Sequence, residues 1–327
     1  MYIVTGGAGF IGSIIAAKLE EAGEDVAIVD WLGTEMKWKN IAKRQLEDLI
    51  APEKLFEALE HHGKDIKGII HMGAISATTE RDADLIAESN FRLSRDLWDW
   101  CSTHDVPFVY ASSAATYGDG ALGFDDEDDL GSMSKLRPLN AYGWSKWLFD
   151  VWARKQVNRG RPSPPVWAGL KFFNVYGPNE MHKGSMRSVA IQVFEQVSET
   201  GKMRLFASDH PDYEDGGQLR DFVWVEDCAD IAIWCANGLK TSGIYNVGSG
   251  KARSFKELAE AVFAAMGREP HLEFFEMPEK LKGQYQYFTQ ARMSKLRDAG
   301  CPIQSTPLEE GVRRYVQDYL AADDPYR

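Results

Sequence analysis

The sequence predicts an α/β protein built around a doubly wound parallel sheet, with a smaller α/β domain toward the C-terminus. Two observations carry this prediction. Short apolar runs of strand type alternate with stretches of helical length through the first half of the chain. A glycine-rich turn also follows the first apolar run and precedes the first helical stretch. A turn of this kind is typical of that position in a Rossmann-type sheet.

The predicted sheet consists of buried strands that are rich in β-branched and apolar residues. The candidate strands are residues 2–5, 26–30, 68–72, 107–111 and 166–172. The helices predicted between them are residues 10–22, 82–103 and 140–158. Alternating strands and helices require crossover connections, so we expect the strands to lie parallel.

The alternation becomes less regular after Asn174, which indicates a second domain. The elements predicted there are a helix at 186–200, a polar loop at 208–219, a strand at 221–225, a helix at 227–237, a strand at 243–247 and a helix at 254–266. We therefore predict a first domain of residues 1–173 and 221–247, and a second of 174–220 and 248–327.

The composition excludes several classes of protein. The formal net charge of −12 over 327 residues argues against a nucleic-acid partner, because such proteins usually present a basic face. The acidic run 125–129 adds to this charge and is predicted to be a solvated loop, since like charges repel. Four cysteines without a CxxC pair indicate neither disulfides nor a metal site. No apolar run approaches the roughly 18 residues that span a membrane, and no signal peptide is evident, so we expect a cytoplasmic protein.

The glycine-rich turn predicts a dinucleotide site. Gly6, Gly9 and Gly12 follow a GxxGxxG spacing between a strand and a helix, and the second strand ends in Asp30. Gly6 permits the tight turn, Gly9 lets the backbone approach a pyrophosphate, and Gly12 lets helix and strand pack closely. Asp30 favours NAD by accepting from the ribose hydroxyls, whereas Lys37 and Lys39 follow in a loop that could reach a 2′-phosphate. The residues alone leave NAD and NADP open.

A Tyr-x-x-x-Lys pair carries the predicted chemistry. Tyr142 and Lys146 share one face of a predicted helix, and Ser113 ends a predicted strand, where it could hold a substrate oxygen. A lysine beside the phenol is expected to favour the phenolate. For the phenolate to act at neutral pH, the phenol pKa must be lowered from about 10 by ~3 units. This shift corresponds to ~4 kcal/mol of differential stabilisation.

These motifs, with the later segment 220–223, resemble those of the extended short-chain dehydrogenase/reductase family, the NAD-dependent epimerases and dehydratases of nucleotide sugars. The resemblance covers nearly the whole chain. Four segments are more particular within the family: residues 110–118, 173–178, 182–186 and 280–286. They resemble the members that invert C6 of an ADP-heptose in lipopolysaccharide heptose supply.

The resemblance implies a dinucleotide-binding and a substrate-binding domain, with no net redox change in the reaction. Hydride leaves C6 for a bound nicotinamide, and the resulting ketone is reduced again from the opposite face. Tyr142 and Lys183 match the two acid/base groups that this inversion needs. Ser113 assists, and Lys146 bridges Tyr142 and the cofactor ribose. The alternative role of Lys183 is a phosphate or cofactor contact.

The resemblance also implies the binding residues. Those matching cofactor contacts are Gly6, Gly9, Phe10, Ile11, Gly12, Asp30, Trp31, Lys37, Met72, Gly73, Ala74, Ile75, Ser76, Asn90, Lys146, Val175 and Lys183. Those matching substrate contacts are Asn174, Ser185, Gln192, Phe206, Ala207, Ser208, Asp209, Arg220 and Tyr285. Asp221 and Asp227 are expected to be structural, the latter as a helix N-cap.

Partners and cofactor follow from the same resemblance. We expect one tightly held NADP per subunit, with NAD as the alternative, an ADP-heptose substrate, and a homo-oligomer, with a pentamer as the expected state. Three features depart from the family: Trp31 stands where a small polar residue is usual, the loop 209–219 is longer, and Gln192 replaces a common histidine.

Three other functions share part of this pattern. A UDP-hexose 4-epimerase would keep the turn and the Ser/Tyr/Lys set but needs no base at Lys183. A 4,6-dehydratase needs an acid pair where this chain has Ala114 and Ala115. A non-catalytic dinucleotide sensor would keep the glycine turn without needing Tyr142 and Lys146.

Overall fold

The structure is a computed structural model that describes residues 1–278 and 286–327. Its strands are β1 (Tyr2–Thr5), β2 (Val26–Val29), β3 (Asp48–Ile50), β4 (Gly68–His71), β5 (Phe108–Ser113), β6 (Trp167–Phe172), β7 (Asn174–Tyr176), β8 (Met203–Phe206), β9 (Leu219–Trp224), β10 (Gly243–Val247), β11 (Ala252–Ser254) and β12 (Leu272–Phe275). Its α-helices are α1 (Phe10–Glu21), α2 (Leu55–His62), α3 (Ala83–Ile86), α4 (Leu93–His104), α5 (Leu130–Met133), α6 (Ala141–Asn158), α7 (Val189–Thr200), α8 (Val225–Gly238), α9 (Phe255–Ala265), α10 (Ser294–Asp298) and α11 (Leu308–Arg314).

Seven strands form one sheet in the order β10-β6-β5-β4-β1-β2-β3, and every pairing in it is parallel. All four residues of β1 are buried, as expected for a strand covered on both faces. The strand order reverses direction between β1 and β4. In open sheets of this kind, the crevice at that reversal is where ligands bind.

Helices cover both faces of the sheet, which confirms the doubly wound prediction. On one face α1 packs against α8, and Lys18 of α1 donates to Asp230 of α8 at 3.0 Å. On the other face, Trp98 of α4 is fully buried against Phe108 of β5 and Phe149 of α6, at ring-centroid distances of 6.4 and 6.3 Å. The two apolar layers cover both faces of the central strands, whereas the edge strand β3 leaves Asp48 and Leu49 exposed.

A smaller region follows, as the sequence predicts. It contains a three-stranded sheet β11-β9-β7, a two-stranded parallel sheet of β12 and β8, and helices α7, α9 and α11 around a second apolar core. The strand predicted at 221–225 is β9, which pairs in the three-stranded sheet, whereas α8 and β10 return to the large sheet. The division into two domains at the predicted boundaries stays a prediction.

The strands β3, β7, β8, β11 and β12 were not expected from the sequence. Each has three or four residues, which is too short to show a clear alternation of apolar and polar side chains. The helix predicted at 82–103 is interrupted, because a π-helical segment at Ala87–Arg92 joins α3 to α4. Within residues 1–278 and 286–327, no helix is both long and apolar enough to cross a bilayer.

The prediction of a solvated loop at 125–129 is wrong for part of the run. Asp126 is buried and accepts from the backbone N–H of Asn246 at 2.8 Å, and Asp128 accepts from that of Ile244 at 3.1 Å. Both N–H groups belong to β10, the edge strand of the large sheet. Two carboxylates therefore satisfy an edge that would otherwise present unpaired donors.

The prediction that Asp227 is an N-cap is also wrong, although its role is structural. Helix α8 begins at Val225, so Asp227 lies inside its first turn. Its carboxylate accepts from the backbone N–H and the hydroxyl of Thr306, at 2.6 and 2.8 Å. The carboxylate thus anchors the C-terminal part of the chain rather than capping its own helix.

Asp221 is a buried hydrogen-bond centre, as expected of a structural residue. Its carboxylate accepts from the backbone N–H groups of Ser249, Gly250 and Ala291 at 2.6, 3.0 and 2.9 Å, and from the Ser249 hydroxyl at 2.7 Å. These contacts join β9 to two distant segments of the chain. Burial raises the pKa of Asp221, and the hydrogen bonds oppose that rise.

Replacing Asp221 with asparagine is expected to lower the free energy of unfolding by about 3 kcal/mol. An amide offers one acceptor oxygen, and its NH₂ group would face donors that then lack a partner. Ser249→Ala, which removes a single donor, is the matched control and should cost about 1 kcal/mol. Urea denaturation followed by circular dichroism measures both. Equal losses in the two variants would contradict the central role of Asp221.

Candidate active site

The glycine-rich turn connects β1 to α1 at the reversal of strand order. Gly6 has a φ of +64°, and a Cβ on it would lie 2.6 Å from the backbone nitrogen of Gly73. A Cβ on Gly12 would collide with the carbonyl oxygen of Gly6. The turn therefore requires glycine at both positions, as the sequence predicts. Within the described residues no side chain caps α1, so its first N–H groups remain available to a phosphate.

Asp30, the acidic residue that follows β2, already accepts hydrogen bonds from protein donors. Asp30 accepts from the backbone N–H of Ala8 at 3.0 Å and from the Lys37 ammonium at 2.5 Å. Lys37 also donates to the carbonyl of Trp31 at 2.9 Å. The Trp31 side chain is 61% exposed, and its indole N–H donates to Glu53 at 2.9 Å. A cation thus lies beside the carboxylate expected to contact the adenosine ribose.

A second turn faces the glycine turn across the crevice. Residues 72–76 (Met72, Gly73, Ala74, Ile75 and Ser76) follow β4, and the Gly73 N–H donates to the Thr5 hydroxyl at 3.1 Å. Asn90, from the π-helical segment, accepts from Ile75 N–H at 2.8 Å and donates to the Ile75 carbonyl at 3.0 Å. Its amide also donates to the Ser145 hydroxyl at 3.0 Å. Asn90 therefore links this turn to α6.

The crevice fits a dinucleotide. Two backbone turns come together where any side chain on Gly6 would intrude, and an uncapped helix end points its donors toward that place. An acid and a lysine stand at the end of the adjacent strand. These are the elements that hold a pyrophosphate and a ribose in Rossmann-type sheets.

Ser113, Tyr142 and Lys146 are brought to the same end of the sheet. Ser113 is the last residue of β5, and its hydroxyl accepts from the Ala115 N–H at 3.1 Å. Helix α6 starts beside it, where Asn140 caps the helix through the Gly143 N–H at 2.8 Å. A Cβ on Gly143 would lie 2.8 Å from the Ala115 carbonyl oxygen. Glycine at this position therefore lets the first turn of α6, with Tyr142, approach Ser113.

The pKa of Tyr142 is raised, whereas the sequence pattern predicted that it would be lowered. Burial raises the pKa of Tyr142, and a hydrogen bond with Ser113 is the main opposing effect, so in the protein alone the phenol is favoured over the phenolate. Burial lowers the pKa of Lys146 to about 8, and the Asp150 carboxylate opposes this. The lowered phenol pKa expected at Tyr142 is therefore not found in the protein alone, because desolvation outweighs the hydrogen bond with Ser113.

Lys183 lies against the first turn of α1, far along the chain from Tyr142. It belongs to a 3₁₀ segment, Met181–Met186, in which Gly184 has a φ of +55°. Its ammonium is 5.1 Å from the centroid of the Phe10 ring. Burial lowers the pKa of Lys183, and Glu180 opposes that shift. The structure thus places Lys183 beside the glycine turn, with its neutral form favoured more than in an exposed lysine.

Two buried asparagines that were not predicted hold this segment in place. The Asn40 amide donates to the carbonyls of Ala8 and Asn179, at 2.8 and 3.1 Å. The Asn179 amide in turn donates to the Ser13 hydroxyl at 3.0 Å. Asn179 itself has a φ of +72°. No local sequence pattern predicts these contacts, because the two asparagines are 139 residues apart in the chain.

The residues predicted to bind substrate lie on several elements of the smaller region. Asn174 begins β7, where it precedes the predicted cofactor contact Val175, Ser185 shares the 3₁₀ segment with Lys183, and Phe206 ends β8. Ala207, Ser208 and Asp209 follow β8, and Tyr285 lies outside the described residues. Gln192 on α7 donates to the Arg187 carbonyl at 2.9 Å. Arg220 on β9 is largely buried, with its guanidinium 5.5 Å from the Phe255 ring centroid.

The long loop after β8 folds back on itself. The Ser208 N–H donates to Asp215 at 2.8 Å, and Tyr287 donates to Asp209. The rings of His210, Tyr213 and Tyr287 pack together, with centroids 4.9 to 5.4 Å apart. The acidic residues of this loop are therefore partly used to close it.

Comparisons with known proteins agree with this geometry. The model of the NAD dependent epimerase/dehydratase family matches residues 2–248. An ADP-L-glycero-D-manno-heptose-6-epimerase of Nitratidesulfovibrio vulgaris strain DP4 is 53% identical, with 100% of both chains covered. A protein of the same name from Fusobacterium nucleatum subsp. nucleatum is 48% identical, again over 100% of both chains.

Solved structures show the same architecture. The Helicobacter pylori ADP-L-glycero-D-manno-heptose-6-epimerase has a TM-score of 0.77 and 25% identity, with 97% of this chain and 95% of that one covered. A UDP-glucose 4-epimerase of Thermus thermophilus, solved with NAD, has a TM-score of 0.72 and 25% identity, with 95% and 96% covered. The predicted resemblance and the nicotinamide cofactor are confirmed. With its glycine turn and its Ser113, Tyr142 and Lys146 at one end of the sheet, the chain belongs to the NAD dependent epimerase/dehydratase family.

Proposed function

We propose that this protein inverts C6 of ADP-D-glycero-D-manno-heptose to give ADP-L-glycero-D-manno-heptose, in the supply of heptose for lipopolysaccharide. The position of Lys183 carries the proposal. It is a second basic side chain, partly desolvated, beside the cofactor turn and on a different element from Tyr142. The full-length similarity to proteins of that name supports the same substrate.

The proposed chemistry uses one acid/base group for each face of the sugar carbon. When bound, the nicotinamide supplies a hydride acceptor and returns the same hydride later. One of Tyr142 and Lys183 takes the proton of the C6 hydroxyl as the C–H bond breaks and the ketone forms. After the sugar has turned, the other group gives a proton to the oxygen as hydride returns to the opposite face. Because the hydride that leaves C6 returns to it, the reaction needs no external oxidant or reductant.

Ser113 and Lys146 support the tyrosine in this scheme. The Ser113 hydroxyl would hold the C6 oxygen, and its hydrogen bond with Tyr142 already opposes the effect of burial on the phenol pKa. Lys146 follows Tyr142 by one helical turn and would hold the cofactor ribose. The charge of Lys146 favours the phenolate electrostatically once the site is filled.

The substrate would lie across the smaller region. Arg220 offers a planar fork of donors, which suits the diphosphate of a nucleotide sugar because it can contact two oxygens at once. The segment 206–209 and residues Asn174, Ser185 and Gln192 complete the proposed substrate contacts. Arg220 is held by packing on Phe255, so its orientation is set before substrate arrives.

We propose NADP as the cofactor rather than NAD. Both carboxylate oxygens of Asp30 have protein donors, which makes Asp30 a weaker acceptor for a free 2′-hydroxyl. The Lys37 ammonium beside it offers a cation to a 2′-phosphate, a role for which lysine is well suited. Asp30 in this arrangement positions Lys37.

Lys37→Met is expected to weaken NADP binding by about tenfold to a hundredfold (~1.5–3 kcal/mol) and to leave NAD binding nearly unchanged. The methionine keeps the aliphatic stem and removes only the charge. Lys39→Met in the same 3₁₀ segment is the control, because the Lys39 ammonium lies over the Tyr326 ring instead, 5.7 Å from its centroid. Isothermal titration with each dinucleotide measures the effect. Equal losses for NAD and NADP would exclude the 2′-phosphate as the partner of Lys37.

The test of the function is direct. The purified protein is incubated with ADP-D-glycero-D-manno-heptose, and the C6 proton of the sugar is followed by ¹H NMR. We expect the second epimer to appear until both reach equilibrium. UDP-glucose is tested in parallel, because a 4-epimerase would turn over that substrate instead. A single unchanged heptose epimer together with UDP-galactose formation would overturn the proposal.

We further propose that the enzyme works in the cytoplasm as a homo-oligomer. The substrate is a nucleotide sugar, and NADP is a cytoplasmic cofactor, so a cytoplasmic site suits both. The family resemblance implies a pentamer. Multi-angle light scattering at micromolar concentration measures the subunit number, and a monomer would contradict this part of the proposal.

A further inference from the structure

Helix α6 and the neighbouring strand β6 contribute a group of buried charged side chains. Asp150 is fully buried and follows Lys146 by four residues, so both point from the same side of α6. Lys171, on the neighbouring strand β6, is also buried. A buried carboxylate flanked by two buried lysines is costly unless the charges serve one another.

Donors from β5 hold the Asp150 carboxylate. The Tyr110 hydroxyl donates to one oxygen at 3.0 Å, and the Ser112 hydroxyl donates to the other at 2.7 Å. Both residues precede Ser113 on the same strand. Hydrogen bonds of this kind stabilise the ionised carboxylate. They also attach α6 firmly to the strand that carries Ser113.

Lys171 supplies the opposite charge on the far side of Asp150. Ser112 of β5 and Lys171 of β6 are paired in the sheet, so Lys171 lies beside a residue that donates to Asp150. The Lys171 ammonium is 4.2 Å from the centroid of the Tyr117 ring. Burial raises the pKa of Asp150, and Lys171 is the largest opposing influence.

We propose that Asp150 is a positioning residue that keeps Lys146 in its charged form, with Lys171 keeping Asp150 ionised in turn. The inference rests on the proposed function only for the catalytic meaning of Lys146. Lys146 is buried, and burial alone favours its neutral form. Without a nearby carboxylate it would lose much of the positive charge that stabilises a phenolate at Tyr142.

Other charged residues also face this group of side chains. His71 on β4 lies toward Lys146, and burial lowers its pKa to about 3, so it is neutral at physiological pH. The charges of Asp126, Asp128 and Lys295 also act on Lys171. Among the groups that influence Lys146, Asp150 is the one that favours its charge.

The test titrates Lys146 itself. Protein labelled with [ε-¹³C]lysine is followed by NMR between pH 6 and 11, and the Lys146 resonance is assigned by its loss in Lys146→Met. We expect the pKa of Lys146 to fall by about one pH unit in Asp150→Asn, because a neutral amide replaces the carboxylate. Asp150→Ser serves the same purpose if the asparagine variant does not fold. An unchanged pKa would overturn the proposal.

Two controls separate charge from packing. Tyr110→Phe removes a hydrogen bond to Asp150 but keeps its charge, so the pKa of Lys146 should move little. Asp150→Glu keeps the charge and should restore most of the shift. A fall as large in Tyr110→Phe as in Asp150→Asn would assign the effect to packing and overturn the proposal. Because the titration uses no substrate, its failure is distinct from failure of the proposed epimerisation.

The kinetic consequence is a displaced pH profile. With Lys146 titrating about one pH unit lower in Asp150→Asn, its charged fraction at pH 8 falls about fivefold. Asp150 also raises the pKa of Tyr142 directly, so its loss has an opposing effect on the phenol. We therefore expect kcat to fall by up to the same factor there and to recover at lower pH, with KM nearly constant. A uniform loss of kcat at every pH would indicate a merely structural Asp150.

Discussion

Tyr142→Phe is expected to lower kcat for C6 epimerisation by about 10²–10⁴-fold, the usual contribution of a positioned proton-transfer group. The ring and its packing remain, and only the hydroxyl that exchanges the proton is lost. Burial raises the pKa of this phenol in the protein alone, and the hydrogen bond with Ser113 opposes that rise. The loss should therefore appear in kcat rather than in KM.

The measurement combines the NMR assay with direct binding of the dinucleotide. NADP affinity should remain within about twofold of the unchanged protein, because the phenol is not needed to hold the pyrophosphate. Trp144→Phe, a partly exposed position in the same turn of α6, is the control and should keep normal turnover. If Tyr142→Phe kept more than a tenth of the activity, another group would have to exchange that proton.

Lys183→Met is expected to reduce epimerisation by a similar 10²–10⁴-fold while leaving the half-reaction that uses Tyr142 intact. Methionine keeps an unbranched side chain beside Phe10 and removes the amine, and with it the cation–π contact. Since burial lowers the pKa of Lys183, a larger fraction of its amine is unprotonated at neutral pH than in an exposed lysine. Loss of one of two bases should stop inversion without stopping oxidation.

A rapid-mixing experiment distinguishes a base from a binding residue. Reduced nicotinamide absorbance should still rise when Lys183→Met is mixed with the epimer that uses Tyr142, and not with the other epimer, and neither epimer should be inverted. Lys202→Met, at an exposed lysine paired with Glu273, is the control and should behave normally. If Lys183→Met raised KM and kept kcat, the lysine would serve only to bind phosphate or cofactor.

Local patterns predicted the parts of the site that depend on near neighbours. The turn around Gly6 needs a left-handed backbone and close approach, and both requirements fall on residues within one short segment. Tyr142 and Lys146 lie on one helical face because four residues make about one turn. The large sheet was predictable for the same reason, since its buried strands are continuous apolar runs.

Contacts across long stretches of chain were not predictable from such patterns. The acidic run 125–129 suggested a solvated loop, yet Asp126 and Asp128 satisfy edge N–H groups that lie 120 and 116 residues away. Asn40 and Asn179 hold the Lys183 segment against the glycine turn without any signature in their neighbourhoods. The four-residue spacing of Lys146 and Asp150 places both on one face of a predicted helix. Only the structure shows that both side chains are buried, and burial is what makes their charges interact strongly.

The fold class, the dinucleotide turn and the spacing of Tyr142 and Lys146 are thus determined by short-range patterns, because backbone conformation and helical spacing are local properties. Which charges are buried, which donors they meet and how their pKa values move depend on the packed chain. The phenol of Tyr142 shows the difference: spacing suggested a lowered pKa, and burial raises it. Desolvation is a property of the whole surroundings of a group, and those surroundings exist only once distant segments have packed together.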